Sequence, residues 1–67
     1  MNAYQNELLS QVKFFLADSP KNTHQIARLR GDYQAYESNL RDRLFRLADR
    51  GLLTVNNTAR GRFWSLP

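Results

Sequence analysis

Apolar side chains recur every three or four residues at the start of the chain: Tyr4, Leu8, Leu9, Val12, Phe15 and Leu16 share one stripe at about 100° per residue. A stripe of that width is the core-facing side of a helix, here predicted over roughly residues 3 to 17. Phe14 falls on the opposite side. It is either a lone exposed apolar residue, which is common, or a contact for self-association. Asp18-Ser19-Pro20 then stops the helix, because proline has no N–H for the ladder and drives the residue before it towards an extended conformation.

A new start signal follows at once. Asn22 or Thr23 can act as N-cap, with Gln25 three residues after Asn22 as in a capping box. The second helix is predicted at about 23 to 30, with Ile26, Ala27 and Leu29 turned inward and Gly31 in the turn beyond. Tyr33, Tyr36, Leu40, Leu44 and Leu47 place a third and longest helix, ending at Gly51, where a left-handed residue is wanted. Two starts are open for it, at Asp32 as N-cap or near Glu37. Beyond Gly51 the period shortens. Leu52 to Val55 and Arg62 to Leu66 read as strands separated by a loop of about five residues within 56–61, a hairpin whose Phe63, Trp64 and Leu66 must pack on the helices.

Sixty-seven residues form one domain, 1–67, because a chain this short buries only about 60% of its unfolded surface. It has no cysteine and one histidine, His24, so the core is aliphatic and aromatic rather than cross-linked, and no zinc site can be completed. No apolar run approaches the roughly 18 residues of a membrane span. The opening Met1-Asn2-Ala3-Tyr4 lacks the basic and apolar segments of a secretory signal, which makes a cytoplasmic location the expectation.

Charge changes the picture more than composition does. The net charge is +4, but Lys13 and Lys21 cancel Glu7 and Asp18, so all the excess lies beyond residue 27. There, eight arginines (28, 30, 41, 43, 46, 50, 60 and 62) face Asp32, Glu37, Asp42 and Asp49. The guanidinium fork matches phosphate and the edge of guanine, which favours a nucleic-acid partner. The alternative is a solvated helix face laced with Asp–Arg pairs.

The order of elements, mainly α with a small terminal β-hairpin (α-α-α-β-β), resembles a three-helix winged helix-turn-helix domain. NTHQIARL resembles that family's second-helix opening, and SNLRDRLFRLADRGLLTV the end of its recognition helix running through glycine into the wing. Leu40, Leu44, Leu47, Gly51 and Leu52-Leu53 occupy the family's apolar and glycine positions, most like the GntR and MarR groups of bacterial regulators. Between Ile26-Ala27 and Leu40 the chain carries about three residues more than a tight helix-turn-helix, and Tyr36 stands where the family often has a capping serine.

With Leu40, Leu44 and Leu47 facing the core, Glu37, Ser38, Asn39, Arg41 and Asp42 are left outward. The resemblance implies that this third helix enters the major groove of double-stranded DNA, with Ser38, Asn39 and Arg41 reading bases: Arg41 as a fork to guanine, Asn39 to adenine. Thr23 and His24, at the second helix's N-terminus, are placed for a backbone phosphate, although Thr23 can equally be only a cap. Arg60 and Arg62 would put the wing on phosphates or into the minor groove. Arg46 and Arg50 suit the negative end of a helix without any partner. Trp64 is expected in the core, with stacking on a base as the alternative, and Phe45, off the apolar stripe like Phe14, joins Phe14 as a candidate protein interface.

Nothing resembles a catalytic triad, a phosphate-cradling glycine loop or a metal cluster, so neither an enzyme nor a cofactor or small-molecule ligand is expected. The expectation is a sequence-specific DNA-binding protein of phage or plasmid size that regulates transcription. Its rivals are an excisionase-like architectural factor that bends DNA and a winged helix used for protein contact. Small domains of this kind often act in pairs, so a homodimer or cooperative self-association belongs to the expectation.

Overall fold

In the computed structural model, which describes residues 1–67, three helices precede one antiparallel hairpin: α1 (Ala3–Phe15), α2 (Thr23–Arg30), α3 (Glu37–Asp49), β1 (Thr54–Thr58) and β2 (Gly61–Ser65). No helix is long and apolar enough to cross a membrane.

Each helix is bounded by identifiable chemistry. Asn2 caps α1 by accepting from the Gln5 amide at 2.8 Å. Asn22 caps α2 through a reciprocal capping box: its Oδ1 accepts from the Gln25 amide at 2.8 Å, and its own amide donates to Gln25 Oε1 at 2.9 Å. α2 and α3 terminate alike. Gly31 (φ 77°) and Gly51 (φ 76°) are left-handed, and the residue after each reaches back five positions, Asp32 N–H to Ala27 O at 2.9 Å and Leu52 N–H to Leu47 O at 3.0 Å.

A 3₁₀ turn, Gln34–Tyr36, leads directly into α3 and is closed by Tyr36 N–H to Tyr33 O at 2.9 Å. Of the two starts left open for the third helix, the one at Glu37 is realised. Tyr33 and Tyr36 consequently stand outside the stripe, 78% and 57% exposed. Leu29, expected inward, is 51% exposed, because α2 is held by Ile26 and Ala27 alone and Leu29 lies on its flank. α1 ends two residues early, with Leu16 as its buried C-cap.

The core joins Leu8, Val12 and Leu16 of the α1 segment, Ile26 and Ala27 of α2, Leu40, Leu44 and Leu47 of α3, Leu53, and Trp64 of β2. Each fully buried large side chain contributes about 1.5–3 kcal/mol. Trp64 is fully buried and ties three parts together. Its backbone pairs with Val55 in the hairpin and, on the other edge, exchanges two bonds with Lys21 (2.8 and 3.0 Å), while its indole N–H donates to Thr23 Oγ1 at 2.9 Å. β2 thereby lies between β1 and the segment leading into α2.

The hairpin is longer and tighter than its sequence indicated. Asn56, Asn57 and Thr58 are strand residues, Leu52 and Leu53 precede the strand, and only Ala59-Arg60 form the loop between the paired Thr58 and Gly61. Thr58 makes this tightness workable: its hydroxyl accepts from Arg60 N–H at 3.1 Å and donates to Gly61 O at 2.9 Å. Gly61, at φ 125°, takes the backbone geometry that a side chain would resist.

Candidate nucleic-acid interface

The N-terminus of α2, the first turns of α3 and one residue of β2 meet around a shallow concavity lined by Asn22, Thr23, His24, Glu37, Ser38, Arg41 and Arg62. Three separate stretches of sequence reach it because of two anchors. The Thr23–Trp64 bond fixes β2 against the start of α2, and the His24 Nδ1–Glu37 Oε1 contact fixes the start of α3 against the same turn. The capping box uses the Gln25 amide, which leaves the Thr23 and His24 amides as unpaired donors of the first turn.

Thr23 is half-buried, and its oxygen is committed to the indole, with its hydroxyl proton still free to donate. It is therefore an anchor as well as a rim residue. His24 is about half exposed, and Glu37 about a quarter, folded against it. Ser38 and Arg41 follow one turn apart on the exposed side of α3. Asp42 is exposed and forms a loose, solvent-exposed ion pair with Arg41, 3.8 Å from its Nε.

Arg62 is held in the concavity by two neighbours. Its Nε donates to Asn57 Oδ1 across the hairpin at 3.1 Å, and its guanidinium lies 4.7 Å from the centre of the Phe45 ring. Phe45 in turn packs edge-on against Trp64, with ring centres 4.9 Å apart. Phe45 is thus a half-buried platform for Arg62 rather than a free apolar knob. The two hairpin arginines are not equivalent. Arg60 sits at the hairpin tip, beside a separate groove lined by Pro20, Asn57 and Phe63, whereas Arg62 belongs with α3.

Asn39 also parts from its neighbours. It lines another depression with Tyr4, Asp32, Tyr36, Leu40 and Arg43, about 200° around α3 from Arg41. Phe14 is 81% exposed beside Phe15, Ala17 and Leu29, and shares no surface with Phe45.

The remaining arginines divide by partner. Arg43 stacks 4.0 Å from the Tyr4 ring centre, and Arg30 donates to the Tyr4 hydroxyl at 3.3 Å while pairing with Asp32 at 3.2 Å. These two fasten α1 to the other helices. Arg46 and Arg50, at the end of α3, line a depression with Met1, Asn2, Gln5 and Asp49. Among these four only Arg30 pairs with an aspartate, and its side chain is largely buried. Arg41 and Arg62 share the concavity with Glu37, which His24 engages, and Arg41 also pairs with the exposed Asp42 at 3.8 Å.

Sequence reasoning missed Asn57, Phe45 in its supporting role, and Lys21. The first two depend on strand register: only when Asn57 faces Arg62 do the amide and the ring frame one guanidinium. Lys21 acts through its backbone, which leaves no mark in side-chain pattern. Its ammonium also bonds Asp18 at 2.9 Å and holds that carboxyl below the usual range.

No protein-family model, no curated protein and no solved structure matches this chain.

Proposed function

We propose that the chain is a winged helix-turn-helix domain that binds double-stranded DNA, with the exposed side of α3 in the major groove and the hairpin on the adjacent backbone. One observation carries the reading: Ser38 and Arg41 on α3, Arg62 on β2 and two unpaired amides of α2 converge on one concavity, with the carboxylate among them engaged by histidine. Convergent donors around a carboxylate that histidine engages suit an acceptor-rich surface, which the phosphate backbone and the O6/N7 edge of guanine both provide.

Arg41 is the base-reading residue in this proposal, and Ser38 its neighbour on the same face. Asn39, on another face of the helix, contacts the groove wall or the backbone. Arg62 and the first turn of α2 hold phosphates, and Arg60 touches a phosphate further along the duplex. The biological role that follows is a small transcriptional regulator.

Selection from a random duplex pool with the purified chain tests the proposal. Enrichment of a common site supports it; a pool that remains random after repeated rounds contradicts sequence-specific binding. A second reading, a winged helix that contacts protein, is favoured by the exposed patch of Phe14 and Leu29, which shares no residue with the concavity.

A further inference from the structure

We propose that His24 takes up a proton when the chain engages a duplex, and that Glu37 imposes this by dictating which imidazole nitrogen carries hydrogen. The inference rests on the DNA-binding reading above and deepens it, turning one contact into a proton-coupled one.

The argument begins with hydrogen-bond inventories. An ionised carboxylate only accepts, so His24 Nδ1, which faces Glu37 Oε1, holds a hydrogen. In the neutral ring the other nitrogen, Nε2, is then a bare lone pair. A phosphate oxygen is likewise only an acceptor, so neutral His24 meets a phosphate lone pair to lone pair. One added proton converts Nε2 into an N–H donor and gives the ring a charge, the combination that makes the stronger class of hydrogen bond to phosphate.

The surroundings reinforce the coupling. From α3, Glu37 contacts the ring and Arg41 lines the same concavity; from β2, Arg62 lines it as well; along α2, Arg28 lies one turn further on. In the free chain Glu37 counters one of these positive charges. A phosphate brings the negative charge that lets His24, Arg41 and Arg62 be cationic together, so ligand and proton arrive as a pair. The imidazole is about half exposed, which leaves it reachable from solvent and from a docked backbone.

Phosphate contact is independent of sequence, so a fluorescent mixed-sequence duplex of about 20 base pairs is a sufficient probe. The experiment is anisotropy from about pH 5.5 to about pH 7.5 at constant ionic strength, with the natural chain, His24→Gln and Glu37→Gln. The natural chain is expected to weaken by up to about tenfold per pH unit over part of the range, the signature of one linked proton. His24→Gln, which carries an amide donor at every pH, is expected to change by less than about twofold. Glu37→Gln is expected to shrink the effect to about threefold or less, because an amide at 37 can donate to Nδ1 and allow the neutral ring to carry its hydrogen on Nε2.

The fluorescence of buried Trp64 checks that each variant is folded. Calorimetry of the natural chain in two buffers of different ionisation heat requires no variant and is expected to show uptake of up to about one proton per bound chain near pH 7. His24 is the sole histidine, and the same calorimetry on His24→Gln separates its proton from any taken up by the α-amino group. A natural chain that binds equally at all pH values, an equal pH dependence in His24→Gln, or zero proton uptake overturns the inference alone. Failure to bind the duplex at any pH overturns the DNA-binding reading with it.

Discussion

The indole N–H of Trp64 donates to the hydroxyl of Thr23 at 2.9 Å, across 41 positions of sequence, and this bond seats the hairpin on the first turn of α2. Removing the hydroxyl strands a buried indole donor. Thr23→Ala is therefore expected to destabilise the fold by about 1–3 kcal/mol, while Thr23→Ser stays within about 1 kcal/mol of the natural chain. Urea unfolding followed by the single tryptophan checks both.

Arg41 and Arg62 share one concavity, and Arg60 lies elsewhere on the hairpin. In duplex affinity, Arg41→Ala is expected to cost about 1–3 kcal/mol and to relax the preference for the selected site. A double-mutant cycle between Arg41→Ala and Arg62→Ala is expected to show coupling of about 0.5 kcal/mol or more, whereas Arg41→Ala and Arg60→Ala should add within about 0.5 kcal/mol. Equal coupling for both pairs contradicts the division of the hairpin arginines.

Phe45 supports Arg62 without lining the concavity. Phe45→Leu preserves most of the apolar volume but removes the ring, so duplex affinity should fall while stability changes by less than about 1.5 kcal/mol. Unchanged affinity in a folded Phe45→Leu chain means that the ring does not organise Arg62.

Much of the fold was legible in the residues, for local reasons. Leu40, Leu44 and Leu47 recur at helical spacing, and Asn22 with Gln25 spells a capping box; these signals need no knowledge of the tertiary structure. Leu29, Tyr33 and Tyr36 misled because apolar spacing alone cannot say where a short helix rolls or where a 3₁₀ turn intervenes. The hairpin's register was hidden for a related reason. Asn56-Asn57-Thr58 has loop composition, but Thr58 closes the turn with its own hydroxyl and releases the asparagines into the strand. Of the site, Arg41, Thr23, His24 and Arg62 were visible as residues. Their convergence was not, since it depends on that register and on the Thr23–Trp64 bond.

Acid should act weakly through Asp18. The hydrogen bond from Lys21 lowers its carboxyl below the ordinary value, so the native state holds this proton less readily than the unfolded chain. The contribution is present above the unfolded value and is lost as pH falls through the lowered one. Asp18→Asn should therefore narrow its stability gap to the natural chain on acidification below about pH 4, as read from melting temperatures. A gap that widens there contradicts the assignment.

Gly31 stands at φ 77° with no atom within 4 Å of an added Cβ, so Gly31→Ala tests backbone conformation without steric interference. A loss of about 1–2 kcal/mol is expected in urea unfolding, from the left-handed geometry alone. No loss means that the α2 end relaxes into another turn.

The central claim is that α2, α3 and β2 together grip the phosphates and base edges of a duplex. The measurement that tests it most directly is the salt dependence of binding to the duplex recovered by selection. Each phosphate neutralised contributes about −0.9 to the slope of log affinity against log salt, so contacts from Arg60, Arg62 and the turn around His24 should give a slope of about −2 or steeper. Arg62→Ala should flatten it by about one contact. A slope near zero, or no retention of duplex even at low salt, contradicts the account.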